Sequence, residues 1–475
     1  MFMNIRRLHL SERGTGRNRY NGDPARKEQS WHGLLPTDSA DDGALTWSLQ
    51  SRIRLGKSSR QLARKPFYAP DLLASVCTPS DGPWLREPKH LAYVCISMRR
   101  LLIYICAALT SLTVTSAQEG ENRDSIAMQL EKQQYDLSTA GKAFLASEAR
   151  QVSFFLLGEL HGENEIPALL RELWPQMWRD GYRNIAAELS PWAAHQLEFA
   201  PADGRSRVLA LWSKEEAQFV HSFAGTTRPV LWGCDIDEVQ PHLLIRDLAA
   251  ANASNSAVQQ MVEITKMGYK RTMAPELLKL AQSATGIKDQ TMNDSSLYGN
   301  IVATLEIERD RLNNERLSAS LHRESLMKNL FLVHYEKSAA SSLKPKVLFR
   351  FGRNHLHRGY DRRGVSTLGN FVAELALAHH MTSFHVAAFA AGGKYFLGKT
   401  FDADERQDDP AFELFASVAQ YPATVFDLRP LRAILHQIPD KNRSPVQNSL
   451  IYWADSYDAI ICYREVTPFY REVPP

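Results

Sequence analysis

The chain has 475 residues with 56 Lys+Arg against 53 Asp+Glu, a formal charge of +3, but 17 of the basic and 9 of the acidic side chains precede Gln118. The remainder carries 39 basic and 44 acidic groups, a net charge of about −5, so whole-chain basicity is no argument for nucleic-acid or anionic-membrane partners. Of five cysteines only Cys234 and Cys462 follow residue 117, which excludes a disulfide scaffold and predicts two buried free thiols.

Residues 1–97 lack hydrophobic periodicity and scatter Arg, Ser, Gly and Pro around isolated tryptophans, as a disordered upstream extension does. Met98-Arg99-Arg100, an apolar run and Thr115-Ser116-Ala117 then give the basic, hydrophobic and small-residue regions of a signal peptide over 98–117. The run is short of the roughly 20 residues that span a bilayer. A secreted or periplasmic protein without stable membrane insertion after cleavage is the expectation. Residues 118–140 read as a polar linker. From there to 475 a single domain is expected. The apolar run 152–157 has the length of a strand buried on both faces, and it leads through Gly158 into a helical pattern over 166–180 that Gly181 ends. Strands follow at 184–188 and 230–235, with Pro191 starting a helix between them. Strand signals vanish from about 240 to 340, where apolar residues recur at helical spacing, most continuously over 301–337. They resume at 347–351, 383–390 and 459–463. This order predicts an α/β fold, a mostly parallel central sheet flanked by helices with a helical cap insertion at about 240–340.

Two of these strands end in the same way, Gly158-Glu159-Leu160-His161 and Gly352-Arg353-Asn354-His355, each with a histidine three residues after a glycine. Groups leaving the carboxyl ends of parallel strands converge in one crevice, and glycine lets the backbone turn there. Two imidazoles, Glu159 and the Arg353/Asn354 pair in one crevice suit hydrolysis or metal binding. Glu188 ends an apolar strand, where a carboxylate needs a partner, and Asp235 has the same placement on the next. Read alone, Arg323 is a solvated helical arginine, His357 faces away from the site, and His379-His380 are surface residues. No Gly-x-Ser-x-Gly elbow or His-Glu-x-x-His helix is present, so neither a serine hydrolase nor a zincin is supported.

The segment Phe154 to Gly162, Ala187-Glu188-Leu189-Ser190, the Arg323-Glu324 helix, Gly233-x-Asp235 and Arg350 to Gly359 together resemble the superfamily that joins erythromycin esterases, Tiki-type metalloproteases and ChaN-like haem-binding proteins. The resemblance covers 151–468. It implies a hydrolase that activates water with His161, Glu188 and His355 to cleave an ester, lactone or amide. His161 would be the general base and Glu159 its orienting partner. Arg323 becomes a fixed positive charge for an anionic intermediate, Asn354 and Asp235 bind substrate, and the partner is a small molecule or peptide. Two other readings stay open. One is a peptidase with His161, His355 and Glu159 on a divalent metal, and the other is a non-enzymatic haem carrier. The spacing Glu159-Leu160-His161 is shorter than in the esterase branch and matches the Tiki and haem-binding branches, so substrate and metal dependence do not carry over.

Overall fold

The computed structural model describes residues 125–199, 216, 219–220, 222, 229–340, 345–397 and 399–469. The extension expected at 1–97 and the leader expected at 98–117 lie outside the described residues. The strands are β1 (Gln134–Asp136), β2 (Phe154–Glu159), β3 (Tyr182–Ala187), β4 (Leu231–Gly233), β5 (Thr291–Met292), β6 (Ser295–Ser296), β7 (Lys346–Gly352), β8 (Ser383–Ala390), β9 (Lys394–Phe396), β10 (Thr400–Asp402), β11 (Ala423–Asp427) and β12 (Ala459–Tyr463). Eight of them form one sheet in the order β1-β11-β12-β8-β2-β7-β3-β4. From β12 to β4 every pairing is parallel, while β11 runs antiparallel to both β12 and β1. The fold is therefore α/β with a mostly parallel sheet.

The apolar runs form strands because both faces are covered. All six positions of β2 are buried, and the four apolar ones alternate between two clusters. Phe155 and Leu157 pack with Ile166, Leu170, Leu173 and Met177 of the helix Glu165–Arg179. Phe154 and Leu156 face Met327, Leu330, Phe331 and Tyr335 of the helix Arg316–Ala339 on the other side. With no solvent-facing side, a period-two polar pattern has nothing to report.

Between β4 and β7 the chain is helical over Pro241–Ala251, Ser256–Ile264, Ala274–Ser283, Leu297–Leu312 and Arg316–Ala339. Two details differ from the sequence expectation. The pattern over 301–337 is two helices, broken at Asn314, whose φ of 62° ends the first. The interval also holds the small hairpin β5–β6, whose loop residues Asn293 and Asp294 have φ of 48° and 62°. Asn and Asp tolerate this conformation, and such two-residue loops match strand twist.

The hairpin tip closes the sheet edge. The buried Asn293 accepts the Gly233 N–H through Oδ1 at 2.8 Å and donates from Nδ2 to the Leu231 carbonyl at 2.7 Å, occupying backbone groups that a further strand would take. Replacing Asn293 with Ala is expected to cost about 1–3 kcal/mol, because both backbone groups of β4 stay buried without partners. Urea unfolding measures this, and a loss below about 0.5 kcal/mol would show that the edge is solvated.

The expected linker at 118–140 is partly folded structure. Residues 125–132 are helical and bury Ile126 and Leu130 in the C-terminal core beside Phe415 and Leu431, and β1 then adds to the sheet edge against β11. Two apolar side chains four residues apart are enough to dock one face of a short helix but too few to register as periodicity. The domain thus begins before residue 141. Cys234 and Cys462 are buried free thiols. Among the described residues no helix is long and apolar enough to cross a membrane.

Candidate functional site

β2, β7, β3 and β4 are sheet neighbours, and their register brings their carboxyl ends level. Glu159 pairs with Gly352, and Ala187 pairs with both Arg350 and Gly233. His161 therefore leaves β2, His355 leaves β7 through the turn Arg353–His355, Glu188 follows β3, and Asp235 lies two residues past β4. The helix Arg316–Ala339 supplies Arg323 and Glu324.

Glu188 is the centre. Its Oε2 accepts the Gly352 N–H at 2.6 Å and lies 3.3 Å from His161 Nε2. Its Oε1 accepts from Arg323 Nη2 at 2.8 Å and lies 3.5 Å from His355 Nε2. Each imidazole is gripped from behind by a second carboxylate. His161 Nδ1 is 2.9 Å from Glu159 Oε1, and His355 Nδ1 is 2.5 Å from Glu324 Oε1. These carboxylates are themselves fixed, since Glu159 Oε2 accepts from Arg350 Nε at 2.7 Å and Glu324 Oε2 accepts the Leu368 N–H at 2.7 Å. The result is a row of alternating charge, Glu159–His161–Glu188–His355–Glu324.

Two glycines make room for it. A side chain at Gly352 would place its Cβ 2.7 Å from His161 Nε2, which would separate the ring from Glu188. Gly162 has φ +88°, and its missing Cβ would stand 2.2 Å from the Phe396 carbonyl oxygen.

The row decides its own protonation. Burial alone would discharge His161, but Glu188 and Glu159 outweigh it and raise the ring to about 10. Burial opposes a charged His355 too, yet Glu188 and Glu324 raise it, with Arg323 working against them. Burial would push Glu188 up, whereas His161, His355 and Arg323 hold it well below the ordinary carboxylate range. At neutral pH His161 is therefore an imidazolium beside the Glu188 carboxylate, and His355 is biased towards its charged form.

Of the residues singled out in the sequence, His161, Glu159, Glu188, His355, Arg323 and Asp235 meet in this cluster. Arg323 is not a surface residue. It donates to Asp235 from Nε at 3.0 Å and Nη2 at 2.5 Å, and its Nη1 is 3.2 Å from Glu238. Asn354 is exposed and stands outside the hydrogen-bonded cluster. His357 is buried, with Nδ1 donating to the Arg358 carbonyl and its ring between Tyr452 and Tyr457. Capping of the helix after β2 falls to Glu163, which accepts the N–H groups of Glu165 and Ile166. Glu159 lies on the Nδ1 side of His161, away from Nε2, so the set His161, His355 and Glu159 does not face one point. Among the described residues no group of three or more His, Cys, Asp or Glu side chains is arranged to hold a metal ion. Three partners were missed in the sequence. Glu324 and Glu238 orient His355 and Arg323, and Arg350 holds Glu159 and Glu216.

No family model and no curated protein matches this chain. Solved structures that match include a succinoglycan biosynthesis protein (TM-score 0.47, 13% identity, 74% of this chain and 99% of that one). A Bacillus cereus protein matches with a TM-score of 0.45 and 14% identity over 74% of this chain and 99% of its own. A mutant of the erythromycin esterase EreC in its open conformation matches with a TM-score of 0.42 and 13% identity over 68% of this chain and 93% of its own. Similarity at this level assigns no activity.

Proposed function

We propose that the crevice is the centre of a hydrolase that cleaves an ester, lactone or amide of a small molecule or peptide, with water as nucleophile. The observation that carries this reading is the sharing of one buried carboxylate, Glu188, by two imidazoles whose other nitrogens are each fixed by a carboxylate. Such rings are pre-oriented acid and base, and their long contacts to Glu188 leave both Nε2 atoms free to turn to a substrate. The leader read at 98–117 would place this activity outside the cytoplasm.

The electrostatics divide the roles. His161, held charged by two carboxylates, suits donation from Nε2–H to the carbonyl oxygen as negative charge develops there. Arg323 opposes charge on His355, so this ring is the one to give up its proton first. Neutral His355 Nε2 then takes a proton from water as the water oxygen bonds to the carbonyl carbon. When the C–O or C–N bond breaks, the same proton passes to the leaving group. The base role implied for His161 by family resemblance thus moves to His355. Arg323 has its donors on Glu188, Asp235 and Glu238 and acts by fixing Glu188.

A pH profile tests this. Turnover needs one neutral ring, and both rings are raised above the ordinary 6.5, so kcat/KM for p-nitrophenyl acetate is expected to keep rising beyond pH 7.5. A plateau reached by pH 7 would count against the assignment. Sign and window also follow for stability. His161 is raised from 6.5 to about 10 on folding, so its stabilising contribution is complete below 6.5 and is lost as pH rises towards 10.

A further inference from the structure

Arg323 is asked to serve three carboxylates, Glu188 at 2.8 Å, Asp235 at 2.5 Å and Glu238 at 3.2 Å. The competition is relieved from the cap. Glu238 Oε1 also meets Arg311 Nη2 at 2.8 Å, Arg311 Nη1 reaches Glu308 Oε1 at 2.6 Å, and Glu308 Oε2 accepts from Arg271 Nε at 2.5 Å. A second row of alternating charge, Glu188–Arg323–Glu238–Arg311–Glu308–Arg271, therefore runs from the strand ends through the helices Arg316–Ala339 and Leu297–Leu312 to the turn Arg271–Met273. Arg311 and Glu308 are 11% and 1% exposed in their side chains, and Glu238 between Arg311 and Arg323 is 28% exposed.

We propose that Arg311 is a positioning residue of the site, which by occupying Glu238 leaves Arg323 on Glu188 and so makes the cap helix Leu297–Leu312 part of the catalytic geometry. A guanidinium does this where an ammonium would not, because its two Nη atoms reach Glu238 as an ion pair and Glu308 as a hydrogen bond at once. Without Arg311, Glu238 has Arg323 as its cation and draws it away from Glu188. The carboxylate shared by the two imidazoles then loses its fixed counter-charge, and the rings bind their protons more tightly. The groups around this row are accounted for. Asp235 lies on the Arg323 side and Tyr269 beside Glu308 and Arg271, while Glu159, Glu324 and the two imidazoles surround Glu188. None of these changes in the Arg311 and Glu238 variants below.

The inference rests on the hydrolase reading for its kinetic meaning alone, so its test reads protonation directly. Full-length protein labelled with 13C at histidine Cε1 is titrated by NMR from pH 5.5 to 10, with His355→Asn and His161→Asn variants assigning the two resonances. In Arg311→Gln the His355 midpoint is expected to move up by about half a pH unit or more, and in Glu238→Gln it is expected to move down. In the double variant E238Q/R311Q, which removes competitor and restraint together, it should return to within a few tenths of the wild-type midpoint. Arg311→Lys, which keeps the charge and loses the fork, should fall between wild type and Arg311→Gln. A folded Arg311→Gln with an unmoved midpoint, or a double variant that keeps the full upward shift, overturns the proposal. If Arg311→Gln does not fold, an unmoved midpoint in Glu238→Gln overturns it as well. Hydrolysis of p-nitrophenyl acetate is followed in parallel. Its absence from the wild type would remove the hydrolase reading and leave the titration result standing.

Discussion

Replacing His355 or His161 with Ala is expected to lower kcat/KM for an ester substrate by about 10²- to 10⁴-fold, the range that a positioned acid or base contributes. The rings flank one carboxylate and act in the same chemical step, one on the carbonyl oxygen and one on the water, so the double replacement should fall little below the worse single one. Loss of either function stops the cycle, and a second loss has nothing left to remove. The fold should survive, because Glu159 keeps Arg350 and Glu324 keeps the Leu368 N–H when its imidazole is gone. Thermal unfolding of each variant separates lost chemistry from lost structure. A well-folded His355→Ala enzyme with near-wild-type kcat/KM would remove His355 from the reaction. Strictly multiplicative losses would show that the two rings act in separate steps.

What the sequence disclosed depended on how local each signal was. β8 and β12 run over the residues expected of them because an apolar run between breakers is a local signal. β1 and β11 gave no such run. β1 is three residues long, and β11 offers Ala423-Thr424-Val425-Phe426-Asp427, which becomes a strand by pairing on both sides. That pairing is tertiary context.

At the site, the histidines announced themselves through the glycines that precede them, since a sharp exit from a strand end is written in adjacent residues. Of their orienting carboxylates, Glu159 stands two residues before His161 and was legible with it, whereas Glu324 was not. Glu324 is one of two acidic residues in a 24-residue helix, and only the fold reveals that it faces His355. Arg350 did leave a trace. It is a charge inside Val347-Leu348-Phe349-Arg350-Phe351, a run whose other members are fully buried, and a guanidinium there demands buried carboxylates. The same reasoning that required a partner for Glu188 would have required Glu159 for Arg350. Helical arginines such as Arg311 and Arg323 carry no comparable mark, because either solvent or a buried acid satisfies them and their neighbours along the chain do not distinguish the two.

Arg323→Met should be the most destabilising single change at the site, costing about 3–5 kcal/mol at pH 7, the usual loss when one member of a buried ion pair is removed. Methionine keeps the length and apolar stem of arginine, so the loss is charge and hydrogen bonding rather than volume. Glu188, Asp235 and Glu238 would all lose the guanidinium between them, and Glu188 and Asp235 are buried. Domains are stable by only about 5–15 kcal/mol, so this is a large share of the total. The pH dependence distinguishes electrostatics from packing. Burial already pushes Asp235 up against the pull of Arg323, and removing Arg323 takes away the largest pull against it. A carboxyl raised on folding destabilises at high pH, and that cost fades as pH falls and the folded form takes up its proton. In the wild type the sign is opposite for Glu188, which is depressed, so its stabilising contribution persists through pH 5 and is lost only as pH falls below the ordinary carboxylate range. The gap between wild type and Arg323→Met should therefore narrow from pH 7 to pH 5 in urea unfolding. A gap below about 1 kcal/mol at pH 7 would mean that the three carboxylates are solvated or already protonated, and a gap unchanged at pH 5 would assign the loss to packing around the methionine.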